Sequence, residues 1–81
     1  MDRAATEAGA YQQARAQLAA LNEREHGVVL AVAQGRTNAE IASDQHMSVA
    51  TVKAHVTHIL AKLALTNRTQ IALLAHDAGL T

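Results

Sequence analysis

Four helix-start signals follow one another between residues 22 and 70 of this 81-residue chain, and they leave room for short helices and little else. Asn22-Glu23-Arg24-Glu25, Thr37-Asn38-Ala39-Glu40 and Asn67-Arg68-Thr69-Gln70 each set a capping side chain three residues before a Glu or Gln. At that spacing the two side chains satisfy backbone N–H groups reciprocally where a helix opens. Ser48 is a simpler cap before Val49, and Gly35 and Gly79 are natural stops. Proline is absent and alanine abundant, so helix is the default state between the signals. The pattern predicts helices from Asn22 to Gly35, over 38–45, over 48–63 and over 67–78. Gly27 sits inside the first of these at a cost of about 1 kcal/mol relative to alanine, and a close helix–helix contact is one reason to keep it. Residues 1–20 carry a weak apolar stripe at Tyr11, Ala14 and Leu18, continued by Leu21. They read as a linker or an extra N-terminal helix. The expected fold is all-α: a compact helical bundle over residues 21–81 with that segment before it.

Length and composition remove several functions. One small core leaves little room for an enclosed catalytic pocket. Without cysteine there is no disulfide framework and no thiolate metal site. The longest apolar run, Val28 to Ala33, is far shorter than the roughly 18–20 residues needed to cross a bilayer, and the start does not read as a signal peptide. These readings point to a cytoplasmic protein with no membrane partner. A single Tyr, with no Phe or Trp, argues against single-strand binding by base stacking. A net charge of zero, taken over the whole chain, argues against nucleic acid.

The helices over 38–45 and 48–63 are joined by only His46-Met47-Ser48. So tight a joint makes two helices cross steeply, the helix-turn-helix arrangement whose second helix enters the DNA major groove. At 100° per residue Val52, Val56, Ile59, Leu60 and Leu63 form the core stripe of that second helix. Lys53, Ala54, Thr57, His58 and Ala61 face the other way, with Ala50 beside them. This outer face is small side chains plus one long cation, and the helix contains no acid. Small residues let a helix approach base edges, and missing carboxylates avoid repulsion from phosphates. The charge asymmetry is wider than the helix. Residues 45–76 hold Lys53, Lys62 and Arg68 with no Asp or Glu, while residues 1–44 are net acidic.

The residues that carry this pattern resemble a known family. Leu21-Asn-Glu-Arg-Glu25, Ala33-Gln-Gly35, Asn38-Ala-Glu-Ile-Ala42, Ser48-Val-Ala-Thr-Val-Lys53, His55-Val56, Ile59-Leu60, Lys62-Leu63 and Asn67-Arg68-Thr-Gln70 are similar to the LuxR-type (LuxR/FixJ, GerE-like) DNA-binding domain over about sixty residues. The resemblance implies a four-helix domain with a central helix-turn-helix that binds double-stranded DNA to regulate transcription. It implies a homodimer through the last helix, on a roughly palindromic site. It implies base reading by Lys53, Ala54 and Thr57, and phosphate contact by Asn38, Thr51, His55, Lys62 and Arg68. Dimer contacts would come from Ile71, Leu73 and Leu74, with Leu73 partly off the main apolar stripe. Such a domain usually follows a receiver or ligand-binding domain, so this chain reads as the effector part of a response regulator or related transcription factor. The sequence departs from the family pattern at Asn22 (usually Thr), Ala39 (usually Lys or Glu), Gln45 (usually a core Leu, here with His46 beside it) and Ala64 (usually Gly).

Other chemistries fit less well. His55 and His58 are neighbours on a helix, but three-residue spacing with no acid on that helix is a weak metal signal. Ser48 is explained as a cap rather than a nucleophile, and Glu40 as a capping-box partner rather than a base. Neither an enzyme nor a bound cofactor or metal is expected. The alternative function is a helical protein-interaction module, adaptor or anti-sigma-like, that does not bind DNA. The zero net charge and the Ala-rich outer face support it.

Overall fold

The computed structural model of the chain describes residues 3–80. Five helices follow in order: α1 (Arg3–Leu18), α2 (Glu23–Ala33), α3 (Asn38–Asp44), α4 (Val49–Lys62) and α5 (Arg68–Asp77). Each start from α2 onward is the one the capping residues announce. Asn22 Oδ1 accepts from the Glu25 amide at 2.8 Å while Glu25 Oε1 accepts from the Asn22 amide at 3.0 Å. The Thr37/Glu40 and Asn67/Gln70 boxes close in the same way. Ser48 Oγ accepts from the Thr51 amide at 3.1 Å and lies 2.8 Å from the Thr51 hydroxyl.

The helix ends share one geometry. After α2, α3, α4 and α5 the chain turns through a residue with positive φ: Gly35, His46, Ala64 and Gly79. The next amide reaches back five residues to an otherwise orphaned carbonyl: Arg36 to Ala31, Met47 to Ala42, Leu65 to Leu60 and Leu80 to Ala75. This is the Schellman closure, and an apolar residue just past the turn commonly packs back on the helix. Met47, Leu65 and Leu80 do so, each packed against the core. Glycine takes the left-handed conformation without strain, whereas His46 and Ala64 hold it at φ 55° against a Cβ clash. Ala64 is one of the positions where the sequence departs from the family pattern, and His46 lies beside another, Gln45.

The core forms where α2 lies on α5, with α4 packed against both and α3 against α4. Val28, Val29, Ile41, Val52, Ile59, Ile71 and Ala75 are fully buried. Helix α1 rests on α5 and adds Ala14 and Leu18, each 2% exposed, to that core. Tyr11, by contrast, stays 43% exposed, with the Arg15 guanidinium 5.5 Å from its ring centroid. On α4, Val52, Ile59 and Leu63 are buried and Val56 and Leu60 partly so, which leaves the opposite face of the helix to solvent.

Candidate nucleic-acid interface

The open face of α4 is a continuous stripe. Ala50, Lys53, Ala54, Thr57, His58 and Ala61 are all exposed. They recur at three- and four-residue intervals, so they line one side of the helix. Among the described residues Lys53 has neither an ion-pair nor a side-chain hydrogen-bond partner, and its ammonium is available to an outside acceptor. Thr51 is exposed at the head of the helix beside Ser48, and His55 is half-buried at the edge of the stripe. The three expected base-reading residues therefore share one open surface with Thr51 close by.

The other expected phosphate contacts sit differently. Arg68, the first residue of α5, points across to the entrance of α3. One guanidinium nitrogen donates to Asn38 Oδ1 and the other to the Arg36 carbonyl at 2.7 Å. Arg36 in turn pairs with Asp44 at the far end of α3. Arg68 thus ties α5 to the first helix of the helix-turn-helix. Asn38 keeps its amide N–H groups free of any partner among the described residues.

Lys62 is also turned toward the protein. Its Nζ lies 3.2 Å from Glu25 Oε1 on α2, across a separation of 37 residues. Glu25 is 1% exposed, the one buried charged side chain among the described residues. Its second oxygen, Oε2, has no hydrogen-bond partner, and His58 Nδ1 approaches it at 3.4 Å. The Asn22 amide, then the Lys62 ammonium, and more weakly His58 hold the carboxyl below its ordinary value, overcoming the opposing effect of burial. Glu25 therefore stays ionised inside the domain. Sequence reasoning read it only as a capping-box partner. The Lys62 contact joins residues far apart in the chain, and no local spacing signals it.

Of the three residues expected at a dimer contact, Ile71 and Leu74 are core residues, 0% and 9% exposed. Helix α5 packs on α2 and α1, and these two side chains are buried in that core rather than free for a partner. Leu73 is 57% exposed and is the apolar side chain α5 offers to solvent.

The sequence model of the luxR family of bacterial regulatory proteins matches residues 19–75. The chain belongs to this family. As a LuxR-type domain it is 45% identical over 60 residues to the response regulator protein VraR of Staphylococcus aureus, and equally to those of S. saprophyticus and S. epidermidis. The match takes in 74% of this chain and 29% of those proteins, so the domain spans under a third of the relatives' length. The crystal structure of full-length FixJ from B. japonicum superposes with a TM-score of 0.85 at 25% identity, over 99% of this chain and 39% of that one. The LuxR-type domain is a helix-turn-helix DNA-binding unit of transcription regulators, with α3 and α4 as its two motif helices. No helix among the described residues is long and apolar enough to cross a membrane.

Proposed function

We propose that this LuxR-type domain binds double-stranded DNA sequence-specifically as a homodimer on a roughly palindromic site, as the cytoplasmic effector part of a response regulator. The observation that carries the reading is the outer stripe of α4, which is small-sided, free of acid and served by one unpartnered lysine. Lys53, Ala54 and Thr57 read base edges in the major groove, where a long cation pairs with guanine acceptors and a methyl contacts thymine. Asn38, Thr51 and His55 meet phosphates and set the register. Lys62 holds α4 to α2 through Glu25, and Arg68 holds α5 to the start of α3 through Asn38 and the Arg36 carbonyl. With so few base-reading side chains, DNA shape supplies part of the specificity. Leu73 on α5 is the apolar contact of the dimer. Residues 1–20 join the domain to a preceding receiver or ligand-binding domain.

Selection of bound duplexes from a random pool tests this directly. The expected product is an inverted repeat with half-sites about one helical turn apart. A single unrepeated half-site would overturn the dimer. No retained duplex even at low salt would favour the helical interaction module instead.

A further inference from the structure

We propose that Glu25 limits the phosphate affinity of this domain by holding the Lys62 ammonium, which leaves the C-terminal turn of α4 electrostatically quiet and Lys53 as the cation that meets DNA. The proposal rests on the DNA-binding reading above and assigns Glu25 a part in specificity.

Three cations lie in the half of the chain without acids, and two of them have partners inside the protein. Arg68 serves Asn38 and the Arg36 carbonyl. Lys62 serves Glu25 at 3.2 Å. Lys53 has no such partner among the described residues. Were Lys62 to leave for a phosphate, it would strip an ammonium from a carboxylate that is 1% exposed and already has one oxygen without a hydrogen bond. A buried carboxylate deprived of its counter-charge is a much larger loss than a solvent-screened contact to a phosphate recovers. His58 sits on the same carboxylate, one turn before Lys62, and faces Oε2. Two side chains of α4 are thus oriented by one acid on α2. Phosphate binding carries no sequence information. A domain that withholds a cation from phosphates lowers its affinity for random DNA more than its preference for the right bases.

The chain contains two lysines, so their ammonium groups give two resolvable NMR signals. On addition of random-sequence duplex at low salt, the Lys53 signal is expected to move and the Lys62 signal to stay. Comparable movement of both overturns the role of Glu25 while leaving DNA binding intact. Movement of neither overturns DNA binding and this inference with it. Salt titrations of duplex affinity supply the second readout. Glu25→Gln keeps an acceptor for the Asn22 amide but releases Lys62. It should steepen the salt slope by about 0.9 and tighten random-duplex binding roughly tenfold near 50 mM salt. Lys62→Gln should leave the slope at the wild-type value, and the double variant should return to it. A slope shallower by about 0.9 in Lys62→Gln, or an unchanged slope in a folded Glu25→Gln, would overturn the proposal.

Discussion

Gln45 lays its side-chain amide against Gly27, with Nε2 3.3 Å from where a Cβ on that glycine would stand. Helix α2 thereby meets the joint between α3 and α4 at the position where the family pattern carries a core leucine. A polar residue is accommodated there because its partner has no side chain. Gly27→Ala should nevertheless raise stability by about 0.5–1 kcal/mol. The gain in helix propensity is near 1 kcal/mol, and only the flexible tip of a half-buried Gln45 must yield. A rise in the thermal midpoint checks it. A fall would show that the Gln45 amide is rigidly held.

Ala64 ends α4 in the left-handed region at φ 55°. Ala64→Gly should stabilise the domain by about 0.5–1 kcal/mol, since the relief of the Cβ clash exceeds the added entropy of the unfolded chain. For a domain of this size that is a rise of about 3–6 °C in Tm. Ala64→Val should lower Tm, because a β-branched residue tolerates positive φ worst.

Glu25 predicts the acid limb of stability. Its carboxyl is held below the ordinary value of 4.5, mainly by the Asn22 amide and then by Lys62. A depressed folded value contributes stability that is fully present above the unfolded value and is lost as pH falls through the folded one. Tm should therefore drop below about pH 4.5 more steeply in the wild type than in Glu25→Gln. At neutral pH, Glu25→Gln should be less stable by roughly 1.5–3 kcal/mol, the range for a hydrogen bond to a charged group. Parallel acid limbs would contradict the assignment.

Lys53→Ala should weaken binding to the selected site by roughly 1–3 kcal/mol and broaden the base preference at one position in each half-site. Competition between selected and single-substituted duplexes measures both. A uniform loss across all duplexes would instead make Lys53 a phosphate ligand.

Leu73 and Ile71 separate assembly from folding on one helix. Leu73→Asp, at a site 57% exposed, should leave Tm nearly unchanged and abolish paired occupancy of the two half-sites. Ile71→Ala, at a fully buried site, should cost about 2–5 kcal/mol. Sedimentation with and without the selected duplex distinguishes the two effects.

The sequence by itself determined where helices α2 to α5 begin and where α2 and α5 end. Asn22, Thr37, Ser48 and Asn67 act on amides within three residues, and Gly35 and Gly79 act on the carbonyls just before them, so those signals are local and readable in order. It determined the outward stripe of α4 as well, because burial of Val52, Ile59 and Leu63 orients the rest of that helix by periodicity alone. Tertiary structure decided which charges remain free. Glu25 reads the same in the sequence whether or not Lys62 lies against it, and Arg68 carries no local mark of its reach to Asn38. It also decided that α5 spends Ile71 and Leu74 on its own core, because the packing of α1 and α2 on that helix follows from the path of the whole chain. Contacts made within one helical turn are written in residue spacing. Contacts across thirty residues or more exist only once the helices have packed.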